Sequence, residues 1–210
     1  MAEFLHRLLA VLLLAVVAVA FLTTTSSCAD ELSPLEGLEF LRSRFAEMSN
    51  FTADITQEKQ IALLRKTITS NGLVRFKRPD MFYMEVYPPY PSCLLLRDNV
   101  LTMLLPEEGV KQETVLPPAE GLSHWFGLIE RPLTSLPEGI DVRAERHDGR
   151  ITVWMNPKDK KGVKEIKLTL LEDGRPRELV IVEQNLDRTV IQFDHVRTNV
   201  DLTADDFHIK

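Results

Sequence analysis

Asn50-Phe51-Thr52-Ala53-Asp54-Ile55-Thr56-Gln57 alternates apolar and polar residues at every step, with Phe51, Ala53 and Ile55 set against Thr52, Asp54 and Thr56. A period of two is the signature of a strand with one face covered and one face wet. From here onward turn signals arrive at short, regular intervals: Ser70-Asn71-Gly72, Arg78-Pro79-Asp80, Asp98-Asn99, Glu107-Glu108-Gly109, Asp148-Gly149, Asp173-Gly174 and Asn185-Leu186-Asp187. That spacing predicts successive hairpins. The segments between them, among them Val74 to Lys77, Met81 to Val86, Leu94 to Arg97, Val100 to Leu105, Ile151 to Met155, Ile166 to Leu171 and Leu179 to Gln184, have strand length and composition. About ten strands in an antiparallel meander are expected.

Before the first strand the period is helical. Ser33-Pro34-Leu35-Glu36 reads as a capped start, with Ser33 as the cap, Pro34 at the first helical position and Glu36 returning a hydrogen bond. Leu35, Leu38, Leu41, Phe45 and Met48 then recur at steps of three and four, which predicts an amphipathic helix running to about Met48. The alternation fails again between Pro117 and Pro137, where Glu120 to Glu130 reads as short helical pieces carrying Trp125 and Phe126. A connection of that length in a compact β domain serves as a binding lid or as a cover for an open face or edge of the sheet.

Several strands are apolar on both faces, since Leu94, Leu95 and Leu96 are consecutive and so are Met103, Leu104 and Leu105. Residues pointing both ways must be covered on both sides, one side by a core or helix and the other by a second layer or a ligand. An incomplete barrel with helices over its concave side leaves an apolar cavity, whereas a fully packed sandwich leaves none.

The N-terminus reads as a secretory signal, with an apolar run from Leu8 to Leu22 after Arg7 and then Thr23-Thr24-Thr25-Ser26-Ser27. Its length falls short of the roughly 20 residues needed to cross a bilayer. The expected organisation is a signal peptide over residues 1–29 and one domain over 30–210. Ser27-Cys28-Ala29 suits ordinary cleavage; Ser26-Ser27-Cys28 imitates a lipoprotein box, but Thr25 stands where leucine is usual. Lipidation of Cys28 is therefore the weaker alternative. Cleavage after Ala29 leaves Cys93 without a disulfide partner.

The net charge is −6 and the basic residues are scattered along the chain, which argues against nucleic acid and against an electrostatic hold on a membrane. Lys158, Lys160, Lys161 and Lys164 are expected on a solvated hairpin tip, with docking on an acidic partner as the alternative. Catalytic signatures are missing. Gly121-Leu122-Ser123-His124-Trp125 matches a nucleophile elbow only in its first three residues. His124, His147, His195 and His208 are far apart and lack metal-ligand spacing, and the acidic pairs Glu107-Glu108 and Asp205-Asp206 fall at turns. Neither an enzyme, a metal nor a cofactor is expected.

Blocks along the chain resemble the LolA-type periplasmic carriers of outer-membrane lipoproteins. They are Asn50 to Gln57, Lys77-Arg78-Pro79-Asp80-Met81-Phe82, Leu94 through Leu104 with its Asp98 turn, Met155-Asn156-Pro157-Lys158, and Val182-Glu183-Gln184 leading to Asn199-Val200-Asp201-Leu202 and Asp206-Phe207. The Lys-Arg-Pro-x-x-Phe block is the most specific. The resemblance implies an incomplete antiparallel barrel, mainly β with α, whose N-terminal helix and helical lid close over a cavity for acyl chains. By that likeness Arg78 matches the arginine that bonds to the lid and gates it, and Phe82 an aromatic tied to cargo transfer. Phe51, Phe76, Phe82, Met84, Leu94, Leu96, Leu101 and Met103, with Trp125 and Phe126 of the lid, are the expected cavity residues. Implied partners of this periplasmic monomer are lipoprotein acyl chains or another lipid, an inner-membrane lipoprotein-releasing transporter and an outer-membrane acceptor lipoprotein. The rival readings are a sensor that binds without transporting and, if Cys28 carries lipid, a membrane-anchored acceptor. Asn99 replaces a glycine usual in the family, and Thr102 and Met103 stand where aromatics are usual, so cavity shape and cargo are expected to differ.

Overall fold

The computed structural model describes residues 30–117, 131–158 and 162–209. The signal region, Trp125, Phe126 and the core of the expected lid lie outside them. Helix α1 spans Pro34–Glu47, and its start is the capping box that the sequence announces: Glu36 N–H donates to Ser33 Oγ at 3.3 Å, and Ser33 N–H donates to Glu36 Oε2 at 2.9 Å. Together these occupy two of the donors that a helix start leaves without intrahelical partners.

Twelve strands follow one another in a single antiparallel sheet: β1 (Asp30–Leu32), β2 (Asn50–Ile61), β3 (Lys66–Lys77), β4 (Met81–Val86), β5 (Ser92–Arg97), β6 (Val100–Leu105), β7 (Val110–Val115), β8 (Ile140–His147), β9 (Arg150–Pro157), β10 (Val163–Leu171), β11 (Pro176–Glu183) and β12 (Arg188–Thr198). Their spatial order is β1-β8-β9-β10-β11-β12-β2-β3-β4-β5-β6-β7, so two meanders are joined where β12 pairs with β2, and the sheet ends open at β1 and β7. The count exceeds the expected ten because β1 is three residues long and β7, Val110-Lys111-Gln112-Glu113-Thr114-Val115, is exposed throughout. Neither offers the half-buried alternation by which strands announce themselves.

The sheet curls. Leu168 on β10 and Phe82 on β4 border one hollow of about 250 Å³. Across a flat sheet the five strand spacings between them would cover about 24 Å, three times the width of such a hollow. On the concave side α1 lies over β8, β9 and β10, where Leu41 joins Ala144, Ile151, Val153 and Leu170 in a dry cluster. A second cluster gathers Met48, Phe51, Ala53, Ile55, Val74, Phe76, Ile191 and Phe193 along β2, β3 and β12. The convex side of β3 to β6 is covered by the C-terminal segment, whose Phe207 is 1% exposed against Tyr83 and Cys93, with Leu95, Leu104 and Leu202 around them. Arg75 Nη1 and Lys77 Nζ clamp that segment through the carbonyls of Asp206 and Leu202. The two-sided apolarity of Leu94 to Leu96 is thereby explained, because Leu95 faces the C-terminal segment while Leu94 and Leu96 face the concave side.

Candidate functional site

Directly paired residues of an antiparallel sheet point to the same face, so the register reads out the concave surface row by row. One row runs Phe51, Phe76, Phe82, Leu96, Leu101 across β2 to β6, and the next runs Ala53, Val74, Met84, Leu94, Met103. The eight described cavity residues expected from the sequence thus fall in two neighbouring rows on one face. Phe51, Phe76, Phe82 and Met84 border the hollow itself; Leu94, Leu96, Leu101 and Met103 extend the rows beyond it toward the β7 edge.

The opposite wall consists of Leu168, Pro176, Leu179, Ile191 and Phe193 from β10 to β12, and α1 contributes Phe45. These were missed from the sequence. Every described lining side chain is apolar, so among the described residues the hollow offers no charge or hydrogen-bonding side chain to a ligand. Its aromatic floor is set by Phe51, whose ring lies 5.7 Å from that of Phe76 and meets the Phe193 ring edge-on at 6.5 Å. At about 250 Å³ the hollow lies below the roughly 300–1,000 Å³ usual for small-molecule sites.

Arg78 stands at the margin of this site, immediately after β3. Its Nη1 donates to the carbonyl of Ala46 in the last turn of α1 at 3.0 Å, and its backbone N–H donates to Ser49 O at 2.9 Å. A cation at a helix C-terminus meets both the helix dipole and the carbonyls left without intrahelical partners. Of the expected lid, Glu120 to Pro137, to which the resemblance ties this arginine, residues 120–130 lie outside the described region. Just beyond them, Leu133 N–H donates to Glu39 Oε2 on α1 at 2.9 Å. Asn50 and Asn199, from two blocks of the resemblance, brace the same end of the sheet: Asn199 N–H donates to Asn50 O and Val200 N–H to Asn50 Oδ1, both at 2.9 Å.

The titratable groups lie elsewhere. Tyr83 and Cys93 sit on the convex side; burial pushes the Cys93 thiol up, and burial together with the neighbouring Cys93 pushes the Tyr83 phenol up. His147 pairs with Asp148 at 3.2 Å and His195 with Asp54 at 2.9 Å, both on the surface, while His208 Nδ1 contacts the Asp205 carbonyl. Asp206 caps the final turn from Thr203, and Glu107 and Glu108 occupy an exposed 3-10 turn. Among the described residues no group of three or more metal-ligating side chains converges, and no helix is long and apolar enough to cross a membrane.

The fold and the site define a half-barrel whose concave face holds an uncharged, aromatic-floored hollow against the end of a helix. The chain belongs to the outer membrane lipoprotein carrier family LolA, whose model matches residues 46–210. A curated relative, the outer-membrane lipoprotein carrier protein of Chromohalobacter salexigens, is 23% identical over 172 residues, covering 81% of each chain. Among solved structures, MucB in the Pseudomonas aeruginosa MucA/MucB complex superposes with a TM-score of 0.47 at 12% identity, over 85% of this chain and 62% of that one. A LolA superfamily protein of Nitrosomonas europaea gives a TM-score of 0.44 at 12% identity, over 85% and 98% of the two chains.

Proposed function

We propose that this protein is a periplasmic carrier that takes up the acyl chains of lipoproteins and moves them from the inner to the outer membrane. The observation that carries the reading is that all the described residues lining the hollow between β2–β4 and β10–β12 are apolar. Exposing an acyl chain to water costs about 0.8 kcal/mol per methylene, so a soluble shuttle must cover it. Described walls without charges supply cover and no anchor, which suits a ligand that has to be given up again.

Two or three acyl chains need more room than about 250 Å³, so loading requires the hollow to widen. Phe45 is the only lining residue contributed by α1, and Arg78 ties the last turn of that helix to the end of β3. Breaking that tie lets the helix end move while the sheet stays intact, and the ligand shifts the balance toward the open form by its own burial. Arg78 is thus proposed as the gate, with Trp125 and Phe126 in the cover. The further proposals are export through residues 1–29, a releasing transporter as donor and an outer-membrane lipoprotein as acceptor. The protein acts by binding and not by catalysis.

The test is to purify the protein from periplasm, extract what is bound, and add the loaded protein to acceptor membranes. Bound lipoprotein that passes to the membranes supports a carrier. Bound lipoprotein that stays put supports a sensor, and an empty hollow that takes up no acylated probe overturns the reading. Mass spectrometry of the mature N-terminus separates a cleaved signal from a lipidated Cys28.

A further inference from the structure

All hairpins of one parity turn at the same end of an antiparallel sheet, and here that end carries the tips of β2–β3, β4–β5, β6–β7, β9–β10 and β11–β12. Three of these tips are tied together. Ala62 N–H donates to Asp187 Oδ1 at 2.8 Å, joining β2–β3 to β11–β12, and Lys66 Nζ donates to Tyr90 Oη at 3.3 Å, joining β2–β3 to β4–β5. Leu63 is 91% exposed, Leu64 65% and Leu186 59% on the first two tips; Tyr87 and Tyr90 stand exposed on the third. A single exposed leucine is ordinary. Three on touching tips, flanked by two tyrosines, form a wedge.

The charge beside the wedge is positive. Arg65 and Lys66 follow the leucines, and Arg188 stands across the sheet from Gln60. None of the three has an ion pair among the described residues. The acid closest in sequence, Asp187, is spent within the tips, with Oδ1 accepting from Ala62 N–H and Oδ2 from Asn185 Nδ2. Glu58 accepts from Gln60 Nε2, and Glu107 and Glu108, on the β6–β7 tip, border the rim beyond Tyr90 and away from the leucines. Reading the charges along the chain does not reveal this patch, because separate hairpins supply its cations.

We infer that this rim docks on a bilayer surface bearing anionic headgroups, with Leu63, Leu64 and Leu186 entering the boundary of the acyl region. Apolar side chains on projecting tips reach the few ångströms of depth at which interfacial segments sit, and cations beside them meet the headgroups. Tyrosines, apolar in the ring and polar at the tip, belong at that boundary. A protein partner is the lesser fit, since the three leucines project as separate points from two tips and do not form a continuous apolar face. The geometry also gives docking a purpose: a second hollow of about 270 Å³, with Gln57, Lys59, Val86 and Tyr90 in its wall and Glu107 and Glu108 on its β6–β7 side, lies at this rim. On the strands concerned it follows directly after Ile55 and Met84 of the apolar hollow. The inference goes beyond the carrier reading and stands without it.

The test is co-sedimentation of the purified chain with vesicles of phosphatidylcholine alone and of phosphatidylcholine mixed with phosphatidylglycerol. Binding to the mixed vesicles, weakened by added salt and reduced by Leu63→Asp and Leu64→Asp by about tenfold or more per leucine, is expected. A Leu63→Trp variant should shift its fluorescence to the blue on the mixed vesicles. Residues 1–29 are common to wild type and variants, so binding that came from that apolar stretch would survive the substitutions. Such survival overturns the proposal, as does failure to bind either vesicle or an unshifted tryptophan. Uptake of an acylated probe by the Leu63→Asp variant is read separately, so the loss of docking is distinguished from the loss of the hollow.

Discussion

Arg78 Nη1 and the Ala46 carbonyl, 3.0 Å apart, join the end of β3 to the end of α1 across the margin of the apolar hollow. Replacing Arg78 with Leu removes a charge-assisted hydrogen bond and leaves the packed sheet untouched. The expected loss of stability is about 1–2 kcal/mol in urea unfolding, with the chain still folded. A hollow that no longer closes holds its ligand longer, so delivery of bound lipoprotein to acceptor membranes should stall. Delivery at the wild-type rate by a folded Arg78→Leu variant counts against the gate.

Gly37 sets how closely α1 approaches the sheet. A Cβ at that position would lie 2.2 Å from the Ala144 Cβ, and Ala144 is itself wholly buried. Alanine for glycine inside a helix ordinarily gains up to about 1 kcal/mol. Here the overlap forces α1 off β8 and costs about 1–3 kcal/mol, so Gly37→Ala should lower the melting temperature despite its better helix propensity. Adding Ala144→Gly reopens the contact, and the double variant should recover part of the loss.

The helix and most strands were legible in the sequence because each is signalled within a few residues: Ser33 and Glu36 announce a cap, and Phe51, Ala53 and Ile55 announce a face. The near wall of the hollow followed from the same alternation, since Phe76, Phe82 and Met84 keep step with Phe51 once the hairpins are folded. The far wall did not. Leu179, Ile191 and Phe193 reach the hollow only because β12 pairs with β2, a closure between the two ends of the domain that no local pattern signals. Ile191 and Phe193 do alternate with Gln192 and Asp194, which marks a buried face without saying what it faces. The cover of the convex side was hidden in the same way, because Phe207 in a short C-terminal segment has no periodicity to betray its burial.

Tyr83 and Cys93, buried side by side beneath Phe207, make the fold sensitive to alkali. Burial raises both acids above their ordinary values, and the Tyr83 hydroxyl is further held by its 3.0 Å hydrogen bond to Glu85 Oε2. Each group keeps its proton longer in the folded chain than in the unfolded one. The stabilisation is therefore complete below the unfolded thiol value of about 8.5 and drains away as the pH rises through and above it. Urea midpoints should fall from pH 8 upward, less steeply in Cys93→Ala. The Cys93 thiol should resist alkylation until the chain unfolds, and rapid labelling of the native protein would contradict its place under Phe207.

Leu179 offers a way to close the hollow without disturbing what surrounds it. It is half-buried on β11, opposite the aromatic floor, and borders empty space. In a filled core an indole in place of leucine costs about 1–3 kcal/mol of overpacking. A hollow of about 250 Å³ has room for the extra ring, so Leu179→Trp should change stability by less than about 1 kcal/mol. The same ring occupies the volume an acyl chain needs, so displacement of a fluorescent fatty acid should show affinity falling at least about tenfold. The two readouts separate the possibilities. A large drop in melting temperature with binding unchanged means that the space is already filled by the protein and that ligand binds elsewhere, whereas unchanged stability with lost binding puts the ligand between Leu179 and Phe51.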